Sequence, residues 1–358
     1  MWTRRAFLQA AGVGFAASLM PRQAAALANA ELVVASACRM PDGTFGAALA
    51  SERGAVIATL KLPARGHDVV RCPVTGRLAV FAWRPGTFAM VFDTRGNAVA
   101  TLTSPAGRHF FGHGSFSPDG RLLYATENDF ETADGKIAIY DATSGFARIG
   151  EFNSYGIDPH EMMLMGENLI CVANGGIETH PDYGREKLNL ATMRPNVAFI
   201  DRHTGDLLSL HELPQRFHQV SLRHLAPDAT GRVWVGAQYE GPAADDVPLL
   251  MRLGPDEDFF IPDVAPTTLH ALGNYVGSVA SSADGELIMA ASPVGNSALI
   301  LDTASGETAI RHLKNVCGTE FDGRRPILST GNGGLAFGDA PPERFETLFD
   351  HHLVVVPG

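Results

Sequence analysis

Cysteine is scarce in this chain. Cys38, Cys72, Cys171 and Cys317 lie too far apart to form a Cys-x-x-Cys pair or the Cys-x-x-Cys-His of covalent haem. An oxidising compartment would permit disulfides, but the places of these residues inside apolar, strand-like runs predict buried thiols. No Gly-x-Ser-x-Gly elbow or other nucleophile motif is present. Helical periodicity longer than two turns is missing after the first thirty residues, which argues against helical layers. Positive charge is in deficit: 28 Lys and Arg stand against 39 Asp and Glu, a formal net charge of −11. Nucleic acid and anionic lipid are therefore not expected partners.

What the chain does have is a repeated phrase, an apolar run, an Asp, two to three further residues and a Gly. It occurs as Val91-Phe92-Asp93-Thr94-Arg95-Gly96, Ile139-Tyr140-Asp141 to Gly145, Phe199-Ile200-Asp201 to Gly205 and Ile300-Leu301-Asp302 to Gly306. The aspartates are 48, 60 and 101 residues apart, and the last gap holds a degenerate copy at Arg252-Leu253-Gly254-Pro255-Asp256. A period near fifty residues in an all-β chain points to propeller blades of ~40–50 residues, each a four-stranded antiparallel sheet that buries both faces only by stacking in a ring. Asp accepts from amides two residues on and Gly supplies the positive φ, so the phrase reads as the hairpin between the third and fourth strands. A second set of turns, Pro73 to Arg77, Ser117-Pro118-Asp119-Gly120, Pro227 to Arg232 and Ser282 to Glu286, would join first and second strands. The expected fold is one all-β propeller domain over residues 31–358, of seven blades with six as the alternative count. An N-terminal strand near Leu32 to Ala37 would close the ring against strands around Leu353 to Val356.

The first thirty residues read as an export signal. Thr3-Arg4-Arg5-Ala6-Phe7-Leu8-Gln9 resembles the twin-arginine consensus, and Ala28-Asn29-Ala30 offers a cleavage site before Glu31. The apolar run from Ala10 to Met20 is too short to span a bilayer, which needs ~20 residues. The expectation is export in the folded state to the periplasm, with no stable membrane insertion once the signal is removed. Cleavage would remove three arginines and no acid, taking the net charge from −11 to −14.

Histidines keep time with the turns. His113 and His224 each lie seven residues before a turn glycine, Gly120 and Gly231; His160 lies six before Gly166 and His67 nine before Gly76. First strands of a propeller all run along the central channel, so residues that begin them gather at one mouth. Four imidazoles gathered there suit a transition metal, iron, copper or zinc, and His67, His113, His160 and His224 are the candidate ligands. The sixth and seventh blades offer Ser278 and Cys317 instead, leaving the ring open on one side. Asp68, Asp158 and Glu161 flank His67 and His160 and would orient the rings. Glu161 and Glu127 are the candidate general acid or base residues. The fourth blade carries a long polar insertion from Asn174 to Asn189, a binding loop or lid containing Asn174, Glu178, His180, Asp182 and Arg185. Arg223, beside His224, is a further binding candidate, although strand alternation would point it to the opposite face unless the backbone twists.

The leader, Gly112-His113-Gly114-Ser115-Phe116, Pro159-His160-Glu161, the run Val172 to Asp182 and Ser221-Leu222-Arg223-His224-Leu225-Ala226 resemble an uncharacterised family of twin-arginine-exported bacterial β-propeller proteins of about this length. Its members are often encoded beside imelysin-like proteins and a di-haem peroxidase-like cytochrome. The resemblance implies a part in periplasmic iron or copper acquisition, with a redox or metal-uptake protein as partner, and it points to His113, His160, His180, Arg223 and His224. Three functions are then in play: a metal-binding propeller; a hydrolase or lactonase, metal-dependent or not, with His113 or His160 as base; and a docking scaffold for a periplasmic redox or uptake partner.

Overall fold

The structure, a computed structural model, describes Gln23 and residues 30–53 and 55–356. The export signal and its cleavage site lie outside the described residues, Gln23 and Ala30 excepted. Seven small antiparallel sheets follow one another along the chain, and their innermost strands touch in a closed cycle. The inner strands of blades 2 to 7 are Gly66–Arg71, Arg108–Phe116, Pro159–Met165, Val220–Pro227, Ser278–Ser281 and Val316–Asp322. Blade 1 is built differently. Its inner edge comes from the end of the chain, where Leu348–Phe349 and Val354–Val356 both pair with Val33–Arg39, so that Val33 faces Val356 and Cys38 faces Phe349. The ring is thus closed as the sequence suggested, with the C-terminal segment on the channel side.

The turns form for the reasons anticipated. Asp93 Oδ1 accepts from the amides of Arg95 and Asn97, both at 2.9 Å, and Asp141 Oδ1 from that of Thr143 at 2.8 Å. Strand interiors pack blade against blade: Leu49 and Ala47 of blade 1 meet Leu78 and Val80 of blade 2, and Ile327 and Leu335 of blade 7 close the circuit against Val34 and Ala48. Second strands such as Leu78–Ala82 are buried along their whole length, which accounts for their small, apolar composition. Blade 5 has three strands, its fourth reduced to a single bridge between Arg252 and Phe260. That matches the degenerate repeat, because Pro262 follows and cannot donate to a ladder. All four cysteines are buried free thiols. No helix among the described residues is long and apolar enough to cross a membrane.

Candidate metal centre

The inner strands are interrupted where they carry histidine. Pairing shifts register between Gly66 and Val69, Phe110 and Gly114, Pro159 and Glu161, and Leu222 and His224. A bulge breaks the two-residue alternation and re-aims side chains, and here it turns His67, His113, His160 and His224 into the channel. The closing segment does the same. Between its two paired stretches, Asp350, His351, His352 and Leu353 stand out of the ladder, and His352 enters the same space.

Five imidazoles therefore share the axis, each no more than 8% exposed. Ring centroids are 4.9 Å apart for His67 and His113, 4.7 Å for His113 and His352, 4.7 Å for His67 and His352, 4.9 Å for His113 and His160 and 4.8 Å for His160 and His224. Glycine permits this closeness. Gly112 has φ +104°, and a Cβ there would come within 2.7 Å of the His67 ring, so Gly112→Ala is expected to displace His67 and weaken any ligand held by it, as read by binding titration. His351 adjoins His67 at 5.9 Å. Ser278 and Cys317, on the two blades without an inner-strand histidine, are occupied in the wall: Ser278 Oγ meets Thr319 Oγ1 at 2.8 Å, and Cys317 Sγ faces the carbonyl oxygen of Asp350 at 3.4 Å.

Burial keeps four of these rings, His67, His160, His224 and His352, neutral. Desolvation brings His67 down to about 4, against the pull of Asp350, and holds His160, His224 and His352 well below the ordinary imidazole range, with neighbouring histidines and, for His160 and His224, Arg223 adding to it. Neutral rings have one lone pair each, and the partners show where it lies. His67 Nδ1 faces Asp350 Oδ1 at 3.4 Å and His224 Nδ1 faces Glu161 Oε2 at 3.0 Å. The Asp350 carboxylate on Nδ1 of His67 leaves its Nε2 free to bind a metal, the usual carboxylate–histidine arrangement. His160 is set the other way: Arg223 Nη1 is 3.2 Å from its Nδ1, and a guanidinium can only donate, so Nε2 carries the proton. Both nitrogens of His113 and Nε2 of His352 are buried without a hydrogen-bond partner; Asp68 Oδ2 is 3.3 Å from His113 Nδ1 but out of hydrogen-bonding alignment. Buried polar atoms without partners are rare and mark a strained or ligand-binding position.

Two all-imidazole triads result, His67–His113–His352 and His113–His160–His224, and a third, mixed and less buried group is His67–Asp350–His351, with ligand atoms in each within 4.8 Å of one another. Nitrogens bound to one ion at ~2.1 Å stand ~3.4 Å apart in a tetrahedron and ~4.2 Å apart when opposite, so the rings must draw inward by some tenths of an ångström or more. The first triad fits better, because none of its three rings has a nitrogen engaged by a cation.

The cluster separates two cavities of opposite character. On one side a chamber of about 340 Å³ is lined by His67, His160, His224 and His351 together with cationic side chains. On the other, a cavity of about 420 Å³ is lined by His352, Asp68, Glu161 and Glu320. Neighbours in sequence, His67 and Asp68 or His160 and Glu161, line opposite sides. Burial, with Asp68 adding its charge, holds Glu161 well above the usual carboxylate range, and desolvation raises Glu320 to about 7; a cation bound nearby would favour their ionised forms.

Arg223 does not point away. The bulge at Leu222–His224 carries its guanidinium into the chamber, where it meets Asp158 Oδ2 at 3.2 Å. Asp158, fully buried and in the left-handed region at φ +60°, also pairs with Arg84 at 3.5 Å. Asp158→Asn keeps the backbone preference and the shape while leaving two buried guanidiniums uncompensated. It is expected to cost about 3–5 kcal/mol, seen as a fall in Tm of order 10 °C by calorimetry.

The remaining sequence candidates lie elsewhere. Glu127 is buried in blade 3 but gripped by Arg148 at 2.6 and 3.0 Å, with Tyr140 Oη at 3.3 Å. Asn174 is structural, donating to the Ser154 carbonyl and to Asn196 at 2.8 Å each. In the insertion, Glu178 takes part through its amide, which donates to Asn189. His180 accepts from the amide of Asp182 at 3.2 Å, capping the turn Pro181–Tyr183. Arg185 alone of the insertion's candidates reaches the axis, stacked 4.3 Å over Trp83 at the rim of the cationic chamber. Sequence reasoning missed His351, His352, Asp350, Arg65 and Arg84. One signal was available for His352: it precedes the strand that turns out to be innermost in blade 1.

Fold and site together define a seven-bladed propeller with an imidazole cluster on its axis. The chain belongs to the family described as "Protein of unknown function (DUF1513)", whose pattern matches residues 60–356. No curated protein matches it in sequence. Among solved structures it is similar to hydrazine synthase of Kuenenia stuttgartiensis (TM-score 0.61, 13% identity, 83% of this chain and 93% of that one). It is also similar to the β-propeller domain of Cps50 (Swd1) from Myceliophteria thermophila (0.56, 13%, 82% and 92%) and to the Dos1 propeller (0.53, 10%, 85% and 78%). At such identities the likeness is one of fold alone.

Proposed function

We propose that the protein binds a transition metal ion, iron or copper, at His67, His113 and His352 as cargo of a periplasmic uptake route, after export through the twin-arginine pathway. One observation carries this: three buried rings converge, with both nitrogens of His113 and Nε2 of His352 unpartnered and Nδ1 of His67 backed by Asp350. An all-imidazole set suits copper, iron, nickel or zinc, with availability deciding among them. The cavity lined by Asp68, Glu161 and Glu320 offers a cation its approach, and Glu161, held protonated by burial, lies where it can release a proton as the ion binds. Delivery or removal of the ion would involve a redox or uptake protein docked at a channel mouth.

Protein produced with its leader and purified from the periplasm is expected to hold about one copper or iron per chain by elemental analysis, and to lose Tm when stripped by chelator. No metal in any preparation, together with no uptake of copper, iron or zinc by the stripped protein, would remove the proposal.

A further inference from the structure

The chamber on the other face of the histidines has a composition at odds with the rest of the molecule. In a protein of net charge −11, its walls bring together Arg65, Arg84, Arg185, Lys187 and Arg223. Three carboxylates answer them: Asp350 on Arg65, Asp158 shared by Arg84 and Arg223, and Glu240 on Lys187. Among the described residues no carboxylate lies within ion-pairing reach of Arg185; it is stacked on one face of Trp83, 4.3 Å away, while Arg65 stacks at 4.4 Å on the same ring. Two positive charges are left over in a recess with low-dielectric walls, a setting that concentrates anions. His160 adds a donor, since Arg223 on its Nδ1 places the proton on Nε2.

We infer that this chamber binds a small polycarboxylate anion, held by Arg185, Arg223 and Arg65 beside Trp83. Guanidinium forks match carboxylate oxygens two by two. The guanidiniums form two pairs, Arg65 with Arg185 on Trp83 and Arg84 with Arg223 on Asp158, which suits charge carried at two places on a molecule better than a compact oxyanion. The size fits too: about 340 Å³ lies at the small end of the ~300–1,000 Å³ typical of ligand pockets, enough for a small metabolite. Because His67 lines both this chamber and the triad, a carboxylate oxygen of the bound anion is placed to complete the coordination of an ion there. That second role rests on the proposed metal binding; capture of the anion does not.

The test uses chelator-stripped, full-length protein with citrate as the probe and phosphate and acetate as comparisons, followed by calorimetry and by tryptophan fluorescence. Citrate is expected to bind at ~1 mM or tighter, more weakly as salt is raised, with a fluorescence change from Trp83. Arg185→Met, on an exposed loop, should weaken citrate at least ten-fold and leave copper or zinc binding in non-chelating buffer unaltered. Absent citrate binding, unchanged affinity in Arg185→Met, or phosphate bound more tightly than citrate would each overturn the inference. Since these titrations contain no metal, their failure leaves the metal reading standing, and failure of metal loading leaves this one.

Discussion

Replacing His113 by Ala is expected to abolish the proposed metal binding while leaving the protein folded. This residue belongs to both triads, so its loss dismantles the better site and the weaker one together. Removal of groups that merely orient ligands costs ~10–100-fold in metal affinity, and a shared ligand should cost more, leaving no stoichiometric metal after purification. The chain should survive because the ring has two buried nitrogens without partners: leaving such atoms buried costs about 1–3 kcal/mol each way they go unsatisfied, which offsets the cavity opened by Ala. Stripped wild type and His113→Ala should therefore melt within a few degrees of each other, and only the wild type should gain Tm on adding metal. His160→Ala should lose less metal, its Nδ1 being engaged by Arg223, and His180→Ala none. Equal metal content in His113→Ala and wild type would place the ion elsewhere.

Acid should unfold the metal-free protein well before it reaches the pH at which carboxylates are lost. His67 and His109, lowered by burial to about 4, and His160, His224, His351 and His352, lowered in the same direction, stay neutral in the fold but take a proton in the unfolded chain once pH drops below ~6.5. The unfolded state then binds more protons, so stability falls as pH falls; His67 alone accounts for about 2 kcal/mol by pH 5. Glu161 and Glu320 are raised by burial and work the other way, because the fold holds their protons where the unfolded chain has released them. Six histidines against two carboxyls leave a net loss of stability, read as a falling Tm between pH 7 and 5, in a fold whose typical total is only about 5–15 kcal/mol. A Tm of stripped protein that stays level across that interval would mean the rings are already solvated or charged.

The architecture was legible because its signals are local. An Asp two residues before an amide it must cap, and a Gly at positive φ, are written within five residues, and they marked the hairpins of blades 2, 3, 4 and 6. Four of the five axial histidines followed from counting back from turn glycines. His352 escaped because the strand it precedes has no such turn after it and belongs to blade 1, at the opposite end of the chain. Arg223 was sent to the wrong face by the two-residue alternation of an ideal strand; the bulge at Leu222–His224 is a backbone irregularity with no signature in residue type. Glu127 looked available because its partner Arg148 sits on a strand two places away in the sheet. Such cross-strand pairings depend on register, which side-chain pattern leaves open.

The place of His352 has a consequence for assembly. It is supplied by the segment that fastens the end of the chain to its beginning, while His67 and His113 sit on blades formed near the start. An ion gripped by all three acts as a rivet through the seam: whatever it gains in being bound is also gained by the docked tail, and a tail that lets go opens the coordination. Loading of the proposed His67–His113–His352 site and fastening of the tail are then a single equilibrium, so an undocked last strand would leave that site one ligand short.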